Sequence, residues 1–162
     1  MKISIRKPFD GDFKVTFKFG EAPQWYLDAI GYPHNGTDFA LPGMTAVLAC
    51  DDGVVEQVDF HPLGWGVFVR IRHSWGMSHY AHLTRAQVNI GQEVKQAQQI
   101  ALSGHTGFTI GPHLHFGIKV DGVLNPEMKD WVNPEDYLDR EVAPEVIKCP
   151  NCGFCFPKGT GV

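Results

Sequence analysis

Positive charge is scarce in this chain and nowhere massed: its 162 residues hold 14 Lys and Arg against 18 Asp and Glu, for a net charge of −4. A nucleic-acid surface needs clustered cations to displace counterions from phosphates, so that class of partner is set aside. Long apolar runs are missing too. Residues 46–50 form one of the longest, far short of the roughly 20 apolar residues that cross a bilayer. The first stretch of chain carries Lys2, Arg6, Lys7, Asp10 and Asp12, which breaks up the apolar segment of an export signal. The expectation is a chain made in the cytoplasm with no membrane contact. Cysteine is sparse as well, with Cys50 alone in the body and Cys149, Cys152 and Cys155 near the end. A disulfide-stapled fold is therefore not expected, and none is needed: a chain of this length buries about 70% of its unfolded surface around one core.

Glycine and proline, by contrast, are abundant, at 18 and 11 residues. They punctuate short segments rich in Val, Ile, Phe and Thr, a distribution that favours brief strands over helices. Strands are expected over 14–19, 45–49, 53–59, 67–73, 77–83, 99–103 and 113–120, with a short one near Val123. The fold class is all-β. Asp51-Asp52-Gly53, Asp121-Gly122 and Asn35-Gly36 are turn sequences, the last two of hairpin type. Thr84 is expected to cap a single helical turn over 84–88. Asn133, Pro134 and the residues after them read as the N-cap and first turn of a short terminal helix. Beyond Arg140 the composition changes to prolines and cysteines. The chain is divided there into a main domain, 1–140, and a loosely packed Cys-containing tail, 141–162.

The chemistry concentrates in histidines. His113 and His115 stand at i and i+2 in a strand-like segment bounded by Gly111 and Gly117, so both rings face one way, roughly 6.6 Å apart. One ring can ligate a metal while the other stays free. Upstream, His34 and Asp38 lie four residues apart across Asn35-Gly36. A straight strand would separate them by about 13 Å, and Pro33 and Gly36 oppose a helix. If Asn35-Gly36 folds the chain back, Asp38 becomes the diagonal neighbour of His34 and the two can converge on one ion. With either of the paired histidines they supply three N/O ligands, which leaves a fourth position open, as a catalytic zinc requires. The other paired histidine is then available as a base or electrostatic stabiliser.

A third segment, Ser78-His79-Tyr80-Ala81-His82-Leu83, completes a set. Tyr-Ala-His-Leu, His-Asn-Gly-Thr-Asp and Gly-Pro-His-Leu-His-Phe occur in an order that resembles the lysostaphin-type zinc metallopeptidases, which cut peptide bonds in bacterial peptidoglycan. The likeness extends through residues 40–47, Asp52-Gly53-Val54-Val55, Gly64-Trp65-Gly66, Gly91-Gln92-Glu93-Val94 and Gly104-His105-Thr106-Gly107, and covers roughly residues 9 to 139. It implies His34, Asp38 and His115 as ligands of one catalytic zinc, with His82 and His113 as catalytic groups beside the open face. It also implies an antiparallel, barrel-sandwich-like sheet fold with a groove walled by loops 20–33, 60–66 and 104–111. Trp25, Tyr26, Tyr32, Trp65 and Phe108 are candidate substrate contacts, and a tyrosine of the first loop is a candidate oxyanion donor. Ala97 departs from the family pattern by replacing a turn glycine, and no wall-binding module is expected from this sequence.

The expected function is a zinc-dependent endopeptidase acting on stem or cross-bridge amides of peptidoglycan, of the phage-lysin kind released through a holin or carried on a virion. The alternative is a non-catalytic wall-binding or phage structural protein on the same scaffold. Alternation along the strand places His79 on the face opposite His82, in a structural or solvated role. His61, His73 and His105 are also read as structural. The three tail cysteines resemble half of a zinc-ribbon knuckle, and a second, structural metal there needs a fourth ligand from elsewhere. The competing readings are reduced thiols, which are favoured, and an adventitious disulfide within Cys149-Pro-Asn-Cys152, with Cys50 a small core residue.

Overall fold

The computed structural model describes residues 3–139, together with the backbone of two three-residue strands further on. Nine strands form one antiparallel sheet: β1 (Val15–Phe17), β2 (Thr37–Phe39), β3 (Ala46–Leu48), β4 (Gly53–His61), β5 (Gly66–His73), β6 (Gly76–Ala86), β7 (Glu93–Val94), β8 (Gln99–Ser103) and β9 (Leu114–Val120). Their order is β1-β2-β9-β6-β5-β4-β7, while β8 pairs with β6 and carries β3 on its other side. In the tail, β10 (Val146–Lys148) and β11 (Cys155–Pro157) pair with each other. Cys149 and Cys152 lie outside the described residues, and of Cys155 only the backbone is described.

The centre of the sheet separates two environments by strict alternation. On β6 and β9 the even-numbered Tyr80, Leu114, Phe116 and Ile118 enter the main core with Phe9, Phe39, Leu41, Val69 and Ile71, all buried. The odd-numbered His79, Ala81, His115 and Gly117 face the other way, and they too are buried. The register Asp38↔His115 and Ala81↔His115 lines up one row across β2, β9 and β6. A slip of one residue in any of these pairings would send the polar row into the core, so the hydrophobic face enforces the position of the polar one. Beneath the row, Tyr80 accepts the Cys50 backbone N–H at 2.9 Å and its hydroxyl lies 3.0 Å from Ser78 Oγ, which is 2.7 Å from His73 Nε2. Cys50 is buried in this network as expected, and burial pushes its thiol pKa up to about 12.

Most expected strands occur, and Gln99–Ser103 matches its expected bounds. Four local expectations fail. The segment before Pro33 contains a helix, α1 (Gln24–Ile30), closed by Gly31 in the left-handed region. No helical turn follows Thr84, because β6 continues to Ala86 against β8. Val123 belongs to the turn after β9 rather than to a strand: its N–H returns to Val120 O at 3.1 Å. Asn35-Gly36 is a bend, not a hairpin, since the chain before it pairs with residues 20 and 21 through Gly20 N–H to His34 O and His34 N–H to Glu21 O. At the end of the body, Asn133 does cap a single turn, a 3-10 one over Pro134–Asp136, by accepting from Glu135 N–H. Ala97 sits in the left-handed region at φ 68°, the conformation its turn would more cheaply give to glycine.

Candidate metal centre

Three elements bring donor atoms to one point. Asp38 on β2 and His115 on β9 are cross-strand partners, and His34 reaches the same point over the bend at Gly36. His115 Nδ1 lies 2.9 Å from Asp38 Oδ1 and 3.0 Å from His34 Nε2, and His34 Nε2 lies 3.1 Å from Asp38 Oδ1. All three residues are buried. The environment assigns the protons. His34 Nδ1 is 3.0 Å from Lys18 O, a pure acceptor, so it carries the hydrogen and Nε2 presents a lone pair. Two imidazole nitrogens and a carboxylate oxygen then meet with too few protons to reconcile them. Their mutual separations compare with about 3.3 Å between ligands of a tetrahedral ion with bonds near 2.0–2.1 Å. The donor set fits zinc, and the carbonyl partner of His34 is the outer support such a ligand uses.

Two further histidines stand beside this cluster. The rings of His82 and His113 are 4.6 Å apart, and His113 Nε2 is 3.4 Å from Asp38 Oδ2. Each is held the same way: His82 Nδ1 donates to Thr106 O at 2.8 Å, and His113 Nδ1 to Gly111 O at 2.9 Å. Both therefore keep Nε2 free as a proton acceptor. His82 is itself in the left-handed region, φ 59°, where β6 bulges, and its N–H is bound to Trp65 O at 2.8 Å. The tip of the β4–β5 hairpin holds it there. Gly66 and Gly107 permit the contact, since a Cβ on Gly66 would meet Thr106 at 2.3 Å and one on Gly107 would meet Gly66 N at 2.2 Å.

That bulge overturns the expectation for His79. Because alternation breaks at His82, His79 and His82 both flank His115, each with its ring centroid 6.0 Å away. His79 is structural but not solvated: it is fully buried and accepts from Arg70 Nε at 3.2 Å. Of the other histidines, His73 is buried in the core network and His105 is exposed.

Electrostatics keep the site in the forms that chemistry needs. Burial alone would raise the pKa of Asp38, but the contacts with His115 and then His34 hold it well below the usual carboxylate range. Burial lowers His115, and burial reinforced by His115 and His113 takes His82 down to about 3, so the His82 imidazole is neutral near pH 7. Burial, then Tyr32 and Asp38, raises the pKa of Tyr26; burial raises that of Tyr32. Both phenols remain hydrogen-bond donors.

The cluster opens into a groove of about 610 Å³. One wall is α1 with Trp25 and Tyr26, followed by Tyr32; a second is the hairpin tip with Trp65; the third is the 104–113 loop with Phe108. All five candidate contacts from the sequence line it. So do His61, which the sequence had suggested was structural, and Ile30, which sequence reasoning passed over; α1 itself was the missing signal for Ile30. Among the described residues the lining contains no Lys or Arg, and Asp38 is its only carboxylate.

The family model for peptidase family M23 matches residues 32–127. Peptidoglycan DD-endopeptidase ShyA of Vibrio cholerae is 40% identical over 118 residues, which are 72% of this chain and 27% of ShyA. Among solved structures, the catalytic domain of lysostaphin from Staphylococcus simulans superposes with a TM-score of 0.68 at 28% identity, covering 77% of this chain and 91% of that one. A zinc-containing peptidase from Vibrio cholerae gives 0.64 at 38% identity, covering 74% of this chain and 37% of the other. The chain thus spans only about a quarter of the length of ShyA.

Proposed function

The chain belongs to peptidase family M23, and from that premise we propose that it is a zinc-dependent endopeptidase that hydrolyses amide bonds in the peptide part of bacterial peptidoglycan. The observation that carries the reading is the convergence of His34 Nε2, Asp38 Oδ1 and His115 Nδ1 within 2.9–3.1 Å of one another beside two histidines with free Nε2 atoms. The printed name of ShyA supports peptidoglycan as substrate. Its identity of 40%, against 31% for glycyl-glycine endopeptidase ALE-1 of Staphylococcus capitis, favours a bond of the DD type over a glycyl-glycine bond.

In this reading His34, Asp38 and His115 hold one zinc, and when bound the ion supplies Lewis acidity for amide hydrolysis. The remaining work belongs to the chain. The groove walls hold the peptide extended, with its scissile carbonyl above the cluster. His82, neutral, and His113, each oriented through Nδ1, take up a proton from the attacking water at Nε2 and deliver it to the departing amine. Tyr26, whose ring is 5.7 Å from His34, keeps its hydroxyl protonated and donates to the oxyanion.

The test is digestion of purified peptidoglycan of several chemotypes by the zinc-loaded chain, with new amino and carboxyl termini identified by mass spectrometry. Chelation should abolish the products and added zinc restore them. Intact peptidoglycan from every chemotype would refute the proposal.

A further inference from the structure

Among the described residues the groove lining carries no Lys or Arg, yet three cations stand by its walls, each over an aromatic ring. Arg70 Cζ lies 4.9 Å from the centre of Trp65, Lys129 Nζ 3.9 Å from that of Tyr32, and Lys119 Nζ 5.0 Å from that of Trp131. Trp65 and Tyr32 are groove wall, and Trp131 packs behind Trp65 at 6.4 Å. Among the described residues none of the three makes an ion pair, whereas Arg6, Lys7, Arg72 and Lys95 each do. Two acidic groups lie in range, and each has a further partner. Asp130, whose charge reaches Lys119, accepts from Asn125 N–H at 3.0 Å, and Glu56, whose charge reaches Arg70, lies 3.7 Å from Arg72.

The turn that carries Lys129 is strained. Lys129 and Asp130 are successive non-glycine residues in the left-handed region, at φ 52° and 65°; each such residue costs on the order of 1 kcal/mol or more. Arg70 is oriented through its own donors, Nε to His79 and Nη1 to Gln57 at 2.9 Å, and retains Nη2. The shelf is also close to the chemistry. The ring of His79 is 6.0 Å from that of His115 and 5.6 Å from that of Trp131, a span of at most three or four residues of extended peptide at about 3.3 Å each.

We propose that Arg70, Lys119 and Lys129 form a carboxylate subsite of the groove, which selects substrate peptides bearing an ionised carboxylate a few residues from the scissile amide. The proposal rests on the endopeptidase reading above. Aromatic faces support the cations while leaving their donors for the substrate, and a charge-assisted contact in a groove otherwise free of cations fixes the direction in which the peptide lies.

The test compares cross-linked muropeptides with free carboxylates against the same muropeptides converted to carboxamides with carbodiimide and ammonia. Arg70 is left in place because it also holds His79, and the variant is Lys119→Met with Lys129→Met. The wild type should favour the free carboxylates through KM by about tenfold. The double variant should lose that preference by a rise in KM on the native substrate alone, with kcat, zinc content and melting temperature unchanged. Lys119→Arg with Lys129→Arg should retain it. A double variant that discriminates as the wild type does, or that is impaired equally on both substrates, would overturn the subsite. Failure of the endopeptidase reading looks different: the zinc-loaded wild type would cleave neither substrate, and the subsite would fall with it.

Discussion

Replacing Gly36 with alanine isolates how much the metal cluster depends on the close approach of the β2 bend to β9. Gly36 is outside the left-handed region, so alanine brings no backbone strain, only a methyl group. That methyl would lie 2.6 Å from His115 Cε1, 2.7 Å from His115 Nε2 and 2.6 Å from Phe116 O. Carbon contacts settle near 3.5–4.0 Å, so roughly 1 Å of separation must be found. The Phe116 carbonyl belongs to the ladder that pairs Thr37 with Phe116 and cannot retreat without opening the β2–β9 seam. The buried His115 ring can yield only by carrying Nδ1 away from Asp38 and His34. Overpacking of this kind costs about 1–3 kcal/mol, and displaced support of a ligand costs roughly 10–100-fold in metal affinity. Gly36→Ala should therefore lower the unfolding free energy of the chelator-treated protein by about 2 kcal/mol in urea and weaken zinc binding at least tenfold in competition with a chromophoric chelator. Gly43→Ala is the control, since a Cβ there meets no atom within 4 Å. Zinc affinity of Gly36→Ala within a factor of about two of wild type would refute the argument that this approach sets the ligand geometry.

Metal analysis separates the two kinds of histidine: His115→Ala and Asp38→Ala should lose zinc and activity, whereas His113→Ala and His82→Ala should keep zinc and lose turnover. Equal metal loss in all four would remove the distinction. Ala97→Gly relaxes a left-handed alanine at φ 68° and should raise the unfolding free energy by about 0.5–1 kcal/mol; a decrease in urea midpoint would contradict this. Burial depresses His73, and it takes His82 to about 3, so both are neutral in the native state at a pH where the unfolded chain protonates them. Stability from these groups is present above about pH 6.5 and is lost as pH falls toward their folded values. The chelator-treated protein should accordingly lose on the order of 1–3 kcal/mol between pH 7 and 4.5, and His73→Gln should flatten the dependence. A urea midpoint independent of pH across that range would exclude the mechanism.

Strand periodicity was legible because β5, β6 and β9 each bury at least one regular face. The helix Gln24–Ile30 was not, because it is only seven residues long, follows Pro23, carries Trp25 and Tyr26 and buries none of its residues. Asn35-Gly36 has the residue types of a hairpin, yet the segment before it finds its partners at residues 20 and 21, and a hairpin's local signal cannot reveal a competing pairing so far upstream. His79 was assigned to the wrong face because alternation assumes an unbroken strand, and the left-handed φ at His82 breaks it.

The sequence by itself determined the donor chemistry: two His-rich segments and a His-to-Asp spacing that only a bend could close, in a chain whose glycines and prolines demand short strands. The tertiary structure alone decided the metal centre and its surroundings. Asp38 and His115 are 77 positions apart and meet because β2 and β9 are registered by the apolar face beneath them. His82 faces them because a hairpin tip more than a dozen residues upstream grips its N–H. The cations over Trp65, Tyr32 and Trp131 likewise come from three separate segments of the chain. Side-chain type is a local property, whereas register and close approach are set by contacts between distant segments, which no local pattern encodes.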